Sequence, residues 1–323
     1  MHPQIMDILR YTKKRGLTCY LNTNFTLIGK AEARKLADLN IDHLTVSIWA
    51  GTPLVYAATH PNKNDETFHR IKKTLTLLNK IKRKSPIIKV YNVIFNMNYH
   101  DIEAMLEFAL ETKSEAVEFT VIDTIPGKTD RLVLNDKETA HLLEKCKRLK
   151  ETYQNGVFKD EVQILGFEQF MRRISNKNAA SAEYDSNFIG STPCYAGWAF
   201  VRILADGNVN SCLKSHRFPV GNILGQDFKD IWNGSLQRYF REKTVQIAKN
   251  TSFFSLIGND PDSKMGCYKS CDNIGHNMDI NGKINSLNRF EKNFLKGITN
   301  TMKFMRMTRG GGLNGGDKHP EIY

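Results

Sequence analysis

The sequence predicts an α/β protein, a partial (β/α) TIM-type barrel followed by a smaller, cysteine-bearing domain, and three observations carry that expectation. Up to residue 155, short β-branched and aromatic segments alternate with segments of helical periodicity. Four of the six cysteines lie in the last 130 residues. The first two of these flank a strand-like stretch that turns at an Asp-Gly pair and returns.

A helix opens the chain, with Ile5, Ile8, Leu9 and Thr12 at helical spacing and Gly16 as its stop. Residues 17–22 (LTCYLN) read as a buried strand and residues 43–49 (HLTVSIW) as a second, with the Ala-, Lys- and Leu-rich segment 30–39 helical between them. A third helix carries Phe68, Ile71, Leu75 and Leu78 on one stripe and leads into a third strand at 87–95 (IIKVYNVIF). Asn98 is placed as a cap before the helical stripe of Ile102, Met105, Leu106 and Ala109, and residues 116–122 (AVEFTVI) form the fourth strand. Asn135 and Glu138 have capping-box spacing ahead of a helix through Leu142, Cys146, Leu149 and Tyr153. Strands separated by helices of this length pair in parallel, in a doubly wound sheet or a (β/α) barrel, with functional loops at their C-terminal ends, and four or five units suit a partial barrel. A helix that opens a parallel α/β sheet has no strand from which to cross over, so strands are expected upstream of it. Cys19 and Cys146 fall on apolar faces and are read as core residues.

The composition, 41% hydrophobic and 25% charged, is that of a globular chain. No apolar run approaches the roughly 20 residues of a membrane span, and the N-terminus lacks the order of a secretory signal, so a cytoplasmic setting is expected. The net charge of +12 could attract an anionic partner, but the basic residues are scattered and the dense run at 80–84 reads as a helix end. No aromatic residues interleave with it, so no nucleic-acid partner is expected. The segment 59–63 (THPNK) is accounted for by loop geometry.

Cys194, Cys212, Cys267 and Cys271 remain. In a reducing compartment clustered thiols point to a metal rather than to disulfides. A hairpin with a two-residue turn at Asp206-Gly207 would bring the ends of the first pair together, and Cys267 and Cys271 are close enough to face one metal centre. Four thiolates suit a structural zinc or an iron–sulfur cluster, and ligand chemistry alone does not separate the two. A first pair split by a whole hairpin leans toward a cluster.

Cys194, Gly207 and Cys212, with "GNI" at 221–223 and "DIWN" at 230–233, resemble the SPASM or twitch module that follows the barrel in many radical S-adenosylmethionine enzymes. "LNTNFTLI" (21–28), "LTVSIWAGTP" (44–53) and "VYNVIFNMN" (90–98) are similar to successive strand ends of their barrels, with Phe25 where the family usually has glycine. The C-x3-C-x2-C and Gly-Gly-Glu-Pro motifs of that family do not occur in this sequence. The resemblance places His2-Pro3 just beyond the glycine motif, so the first two barrel strands are expected to be missing and the chain as given to be inactive.

The resemblance implies a partial barrel over residues 1–180, a SPASM/twitch domain over 181–285, and a C-terminal amphipathic helix and tail over 286–323. It implies one auxiliary 4Fe-4S cluster on Cys194, Cys212, Cys267 and Cys271. Ser47 and Asn96 would contact S-adenosylmethionine. The complete enzyme would take hydrogen from a peptide, sugar or other small molecule through a 5′-deoxyadenosyl radical, served by a donor such as flavodoxin or ferredoxin. The alternative is a non-enzymatic protein whose four cysteines hold zinc or a cluster for structure. In the last segment, Leu287, Phe290, Phe294, Ile298 and Met305 form a stripe expected to pack on the barrel, followed by a mobile Gly-rich tail.

Overall fold

The apolar stripes of four helices converge on one face of a parallel sheet in this computed structural model, which describes residues 2–125, 127–155, 161–245, 251–254, 256–257, 267, 269–291 and 293. The strands β1 (Tyr20–Thr23), β2 (His43–Ser47), β3 (Ile87–Ile94), β4 (Ala116–Val121) and β5 (Gln163–Leu165) lie side by side in chain order. Every neighbouring pair is parallel, with Ser47 opposite Tyr91 and Tyr91 opposite Glu118. The crossovers are α2 (Lys30–Leu39), then α3 (Pro53–Thr59) with α4 (Asp65–Ile81), then α5 (Ile102–Glu111), then α6 (Asp136–Asn155). This is the α/β architecture expected from the alternation, a five-stranded section of a (β/α) barrel.

Strand periodicity decides which face each residue takes. Leu44, Val46, Ile88, Val90, Ile94 and Phe119 are buried with Leu36, Leu75, Phe108 and Cys146 from the helices. The intervening Ser47, Tyr91, Glu118 and Thr120 are half-buried and occupy the other face. Cys19 belongs to the same core.

Three local expectations are corrected. The first strand is an edge rather than a buried strand: Leu17 and Tyr20 are 58% and 67% exposed, because no second strand pairs with β1 among the described residues. Asn98 caps no helix. Its amide donates to the Trp49 and Val93 carbonyls, and its oxygen accepts the Phe95 amide at 2.8 Å, so it ties the loops after β2 and β3 together. The helix start after it belongs to Asp101, whose carboxylate accepts the Gly51 and Thr52 amides. Gly51 must be glycine there, since a Cβ would lie 2.1 Å from the Ala104 backbone. The Asn135/Glu138 capping box forms as expected, each side chain accepting the other's amide at 3.0 and 2.9 Å. The basic run at the end of α4 is partly internal, because Lys82 pairs with Glu115 and donates to the Pro86 carbonyl.

After α1 (Ile5–Lys14) and the sheet come α7 (Phe167–Ile174), α8 (Ser186–Ile189) and α9 (Ala196–Ala199). A small antiparallel sheet then forms from β6 (Arg202–Ile203), β7 (Asn208–Asn210) and β8 (Gly221–Asn222). The hairpin differs from the expected two-residue turn. Leu204 bonds Asn208 across a three-residue loop whose last residue, Gly207, takes φ 83°, a left-handed position glycine tolerates without strain. The helices α10 (Phe228–Asn233), α11 (Ser235–Thr244) and α12 (Thr251–Phe254) close a second core around Val209, Phe218, Ile231, Phe240 and Phe253. Finally α13 (Ile274–Ser286), unforeseen in a stretch of asparagine and glycine, ends where the expected C-terminal helix was to begin. Asn288 and Glu291 cap a new turn, and most of that expected helix and the tail lie outside the described residues.

Phe25, at the position where the resembled family has glycine, keeps a glycine-like backbone at φ 59° while its ring is only 1% exposed. Phe25→Gly would relieve about 1–2 kcal/mol of left-handed strain but forfeit roughly 3–5 kcal/mol of buried ring. A net loss of about 2 kcal/mol is expected in urea unfolding, and a higher midpoint would refute this balance.

His60 stacks on Tyr56 at 4.2 Å, and burial lowers its pKa below the ordinary imidazole value. The unfolded chain takes up this proton near pH 6.5 and the folded chain only at lower pH, so the contribution is complete above that pH and declines as pH falls through it. His60→Phe is expected to flatten the stability-versus-pH slope between about pH 7 and 5 in denaturant melts, and an unaltered slope would sink the assignment.

Candidate metal centre and the adjoining cavity

Each of the four cysteines is held by a different element. The Cys194 amide, just before α9, donates to the Thr244 carbonyl of α11 at 3.0 Å. The Cys212 amide, two residues past β7, donates to the Ser215 hydroxyl at 3.1 Å. Cys271 precedes α13, donating its amide to the buried Asp185 carboxylate at 2.9 Å. Cys267 packs against the second core. All four line one small cavity, walled on its apolar side by Phe240, Phe254 and Ile257.

None of the cysteines is in a disulfide. Burial pushes the Cys212 thiol up to about 11, and burial followed by the neighbouring Cys267 and Cys194 holds the Cys271 thiol well above its ordinary value. Neighbouring thiols in a low-dielectric site resist ionisation together, and a bound cationic centre reverses that preference by taking the thiolate form. Among the described residues no three His, Cys, Asp or Glu side chains stand at single-ion spacing. Four thiols facing one cavity with an apolar wall, and the Asp272 carboxylate beside them, fit an iron–sulfur cluster by their chemistry.

One buried ion pair and one half-buried pair fasten this cavity to the parallel sheet. The Arg173 guanidinium of α7 forks onto Asp185 at 2.6 and 3.2 Å and also donates to Thr120 of β4 and to the Cys271 carbonyl. The Lys214 ammonium pairs with Asp123, just past β4, at 2.7 Å and donates to the Ser270 hydroxyl and carbonyl. Sequence reading passed over all of these residues. Lys214 and Ser270 were detectable only as close neighbours of cysteines, and Arg173 and Asp185 left no pattern.

Beyond this wall lies a cavity of about 540 Å³ between the inner face of β3 and β4 and the start of α13. Tyr91, Glu118, Thr120, Asp123, Asp272 and His276 are among its walls. Burial and then the Glu118 carboxylate push the Tyr91 phenol up to about 12, so it is a neutral hydrogen-bonding group near pH 7. Ser47 and Asn96 stand at the ends of β2 and β3 but do not line this cavity. The Asn96 amide donates to the Arg131 carbonyl at 2.8 Å, and its oxygen is buried without a hydrogen-bond partner among the described residues.

A parallel sheet of barrel type whose strand ends meet a four-cysteine module defines a class of protein, and residues 194–252 match the SPASM family, an iron–sulfur cluster-binding domain. That match is confined to these residues, and the chain as a whole shares its fold with solved proteins that bind S-adenosylmethionine. Its sequence is 22% identical over 249 residues to a tungsten-containing aldehyde ferredoxin oxidoreductase cofactor-modifying protein of Pyrococcus furiosus, covering 75% of this chain and 66% of the relative. Among solved structures, Streptococcus suis SuiB bound to S-adenosylmethionine superposes with a TM-score of 0.55 at 14% identity, over 75% of this chain and 54% of SuiB. Native anSMEcpe with bound AdoMet gives 0.53 at 18%, over 82% of this chain and 74% of that one. SuiB has also been solved bound to its precursor peptide SuiA, at a TM-score of 0.52 and 17% identity, over 74% of this chain and 53% of that one. The chain thus spans about two thirds of the curated relative and about half of SuiB. An iron–sulfur cluster and S-adenosylmethionine, the cofactors expected from the resemblance, are those of the matched domain and of these neighbours. No helix among the described residues is long and apolar enough to cross a membrane.

Arg173→Met would leave the Asp185 carboxylate, fully buried, without its cation. A loss of about 3–5 kcal/mol is expected in chemical denaturation, and a loss below about 1 kcal/mol would show that water reaches this pair.

Proposed function

We propose that this chain is the cluster-bearing part of a radical S-adenosylmethionine protein, in which Cys194, Cys212, Cys267 and Cys271 hold one auxiliary 4Fe-4S cluster beside a substrate cavity. The observation that carries the reading is the convergence of the four thiols on one cavity that shares a wall with the strand-end cavity. Residues 1–180 form the barrel section, 181–285 the cluster domain and 286–323 the tail.

Within this chain the assignable work is binding and orientation. The neutral Tyr91 hydroxyl, Thr120, His276 and the carboxylates of Asp272 and Glu118 would position a polar substrate against the inner face of the sheet. Asn96, through its unpartnered oxygen, and Ser47 at the end of β2 would meet S-adenosylmethionine at the strand ends. When bound and reductively cleaved, S-adenosylmethionine supplies a 5′-deoxyadenosyl radical that removes a hydrogen atom from substrate. The six cysteines contain no C-x3-C-x2-C, so that cleavage is not assigned to residues of this sequence. A peptide substrate is favoured over a sugar because the fold neighbour SuiB was solved with its precursor peptide. Cysteines outside any disulfide suit a reducing, cytoplasmic setting with an electron donor such as flavodoxin or ferredoxin.

Anaerobic expression and elemental analysis test the reading. About four irons and four sulfides per chain are expected, with iron lost in the double variant Cys267→Ala/Cys271→Ala at unchanged circular dichroism. One zinc and no iron would instead support a purely structural metal site.

A further inference from the structure

Lys214 lines the cysteine cavity, and the residue is only 8% exposed. An ammonium has three donor hydrogens, and here three acceptors meet them: the Ser270 carbonyl at 3.0 Å, the Ser270 hydroxyl at 2.7 Å and the Asp123 carboxylate at 2.7 Å. The Ser270 hydroxyl in turn donates to Asp123, which closes the triangle. Such full satisfaction is what a buried lysine needs to remain an ion.

The two charges of this pair face different spaces. Lys214 lines the cysteine cavity and not the strand-end cavity, whereas Asp123 lines the strand-end cavity and not the cysteine one. A group held by the cysteines therefore has the Lys214 ammonium nearer than Asp123, while the Asp272 carboxylate, which lines both cavities, adds a negative charge that stays the same when Lys214 or Asp123 is replaced. Low local polarity lengthens the reach of that charge, and a cluster that gains an electron becomes more negative, so a nearby cation favours its reduced state.

We propose that Lys214 is a positioning residue that holds Ser270 beside Cys271 and, by its charge, raises the reduction potential of the cluster bound by the four cysteines, with Asp123 opposing it. The inference rests on the cluster assignment made above. Its direction depends on this chain's own charges and involves no bond making or breaking; one electron enters the cluster from the reductant.

The test uses the full chain, loaded anaerobically with iron and sulfide and titrated with dithionite against redox mediators, the reduced cluster being followed by electron paramagnetic resonance and visible absorption. Lys214→Met is expected to shift the midpoint to lower potential, Asp123→Asn to higher potential, and Lys214→Arg to remain close to the parent. A role limited to holding the loop would not move the two charge-removing variants in opposite directions. Shifts of the same sign, or none, at full iron content would overturn the proposal while leaving the cluster assignment intact. Should Lys214→Met fail to take up iron, the sign of the Asp123→Asn shift decides alone, an upward shift supporting the proposal and any other result overturning it. A parent chain that takes up zinc and no iron would overturn the cluster assignment, and this proposal with it.

Discussion

The buried pairing of Arg173 with Asp185 is the constraint on which the rest of the arrangement depends. One guanidinium reaches four partners: two carboxylate oxygens, the Thr120 hydroxyl on the parallel sheet and the Cys271 carbonyl beside the cysteine cavity. Asp185 answers by accepting the Cys271 amide, so Cys271 is gripped at both backbone groups. A buried ion pair adds little net stability once desolvation is counted, and its use here is geometric. The planar fork of arginine admits one orientation, and that orientation seats a cysteine-bearing loop on the end of a strand.

A second pair, Lys214 with Asp123, repeats the device a short distance along the same loop, at Ser270. Together the two pairs build a polar wall with a thiol-lined apolar chamber on one side and a polar, strand-end chamber on the other. The division matters chemically. Burial in the thiol chamber raises thiol pKa values, a condition in which binding a metal centre is tightly coupled to proton release. The strand-end chamber, with its phenol, hydroxyl and carboxylate groups, is equipped to orient a polar molecule instead.

Much of the first half was legible because burial imposes a period. The stripe Phe68, Ile71, Leu75, Leu78 and the run at 87–95 could hardly serve any structure but a helix and a strand packed on one core. The expectation broke where one residue's role depends on a partner distant in sequence. Asn98 looks like a helix cap, yet its amide belongs to Trp49, in the loop after another strand. The segment that forms α13 carries poor helix formers and shows no period, and tertiary contacts override its weak propensity: Asn277 is buried and accepts the Tyr195 amide at 2.8 Å. Phe25 shows the opposite case, where a turn that favours glycine is kept because the ring gains more from the core than the backbone loses.

By itself, then, the sequence determined the alternation of elements, the parallel sheet and the identity of the four thiols, since periodicity and ligand type are local properties of residue order. Only the tertiary structure decided that Cys194, Cys212, Cys267 and Cys271 share one cavity, that β1 is an edge, and that two buried cations hold the cysteine loop to the sheet. Those outcomes depend on charges and hydrogen bonds between residues far apart in the chain, and such pairings leave no period in the sequence to read.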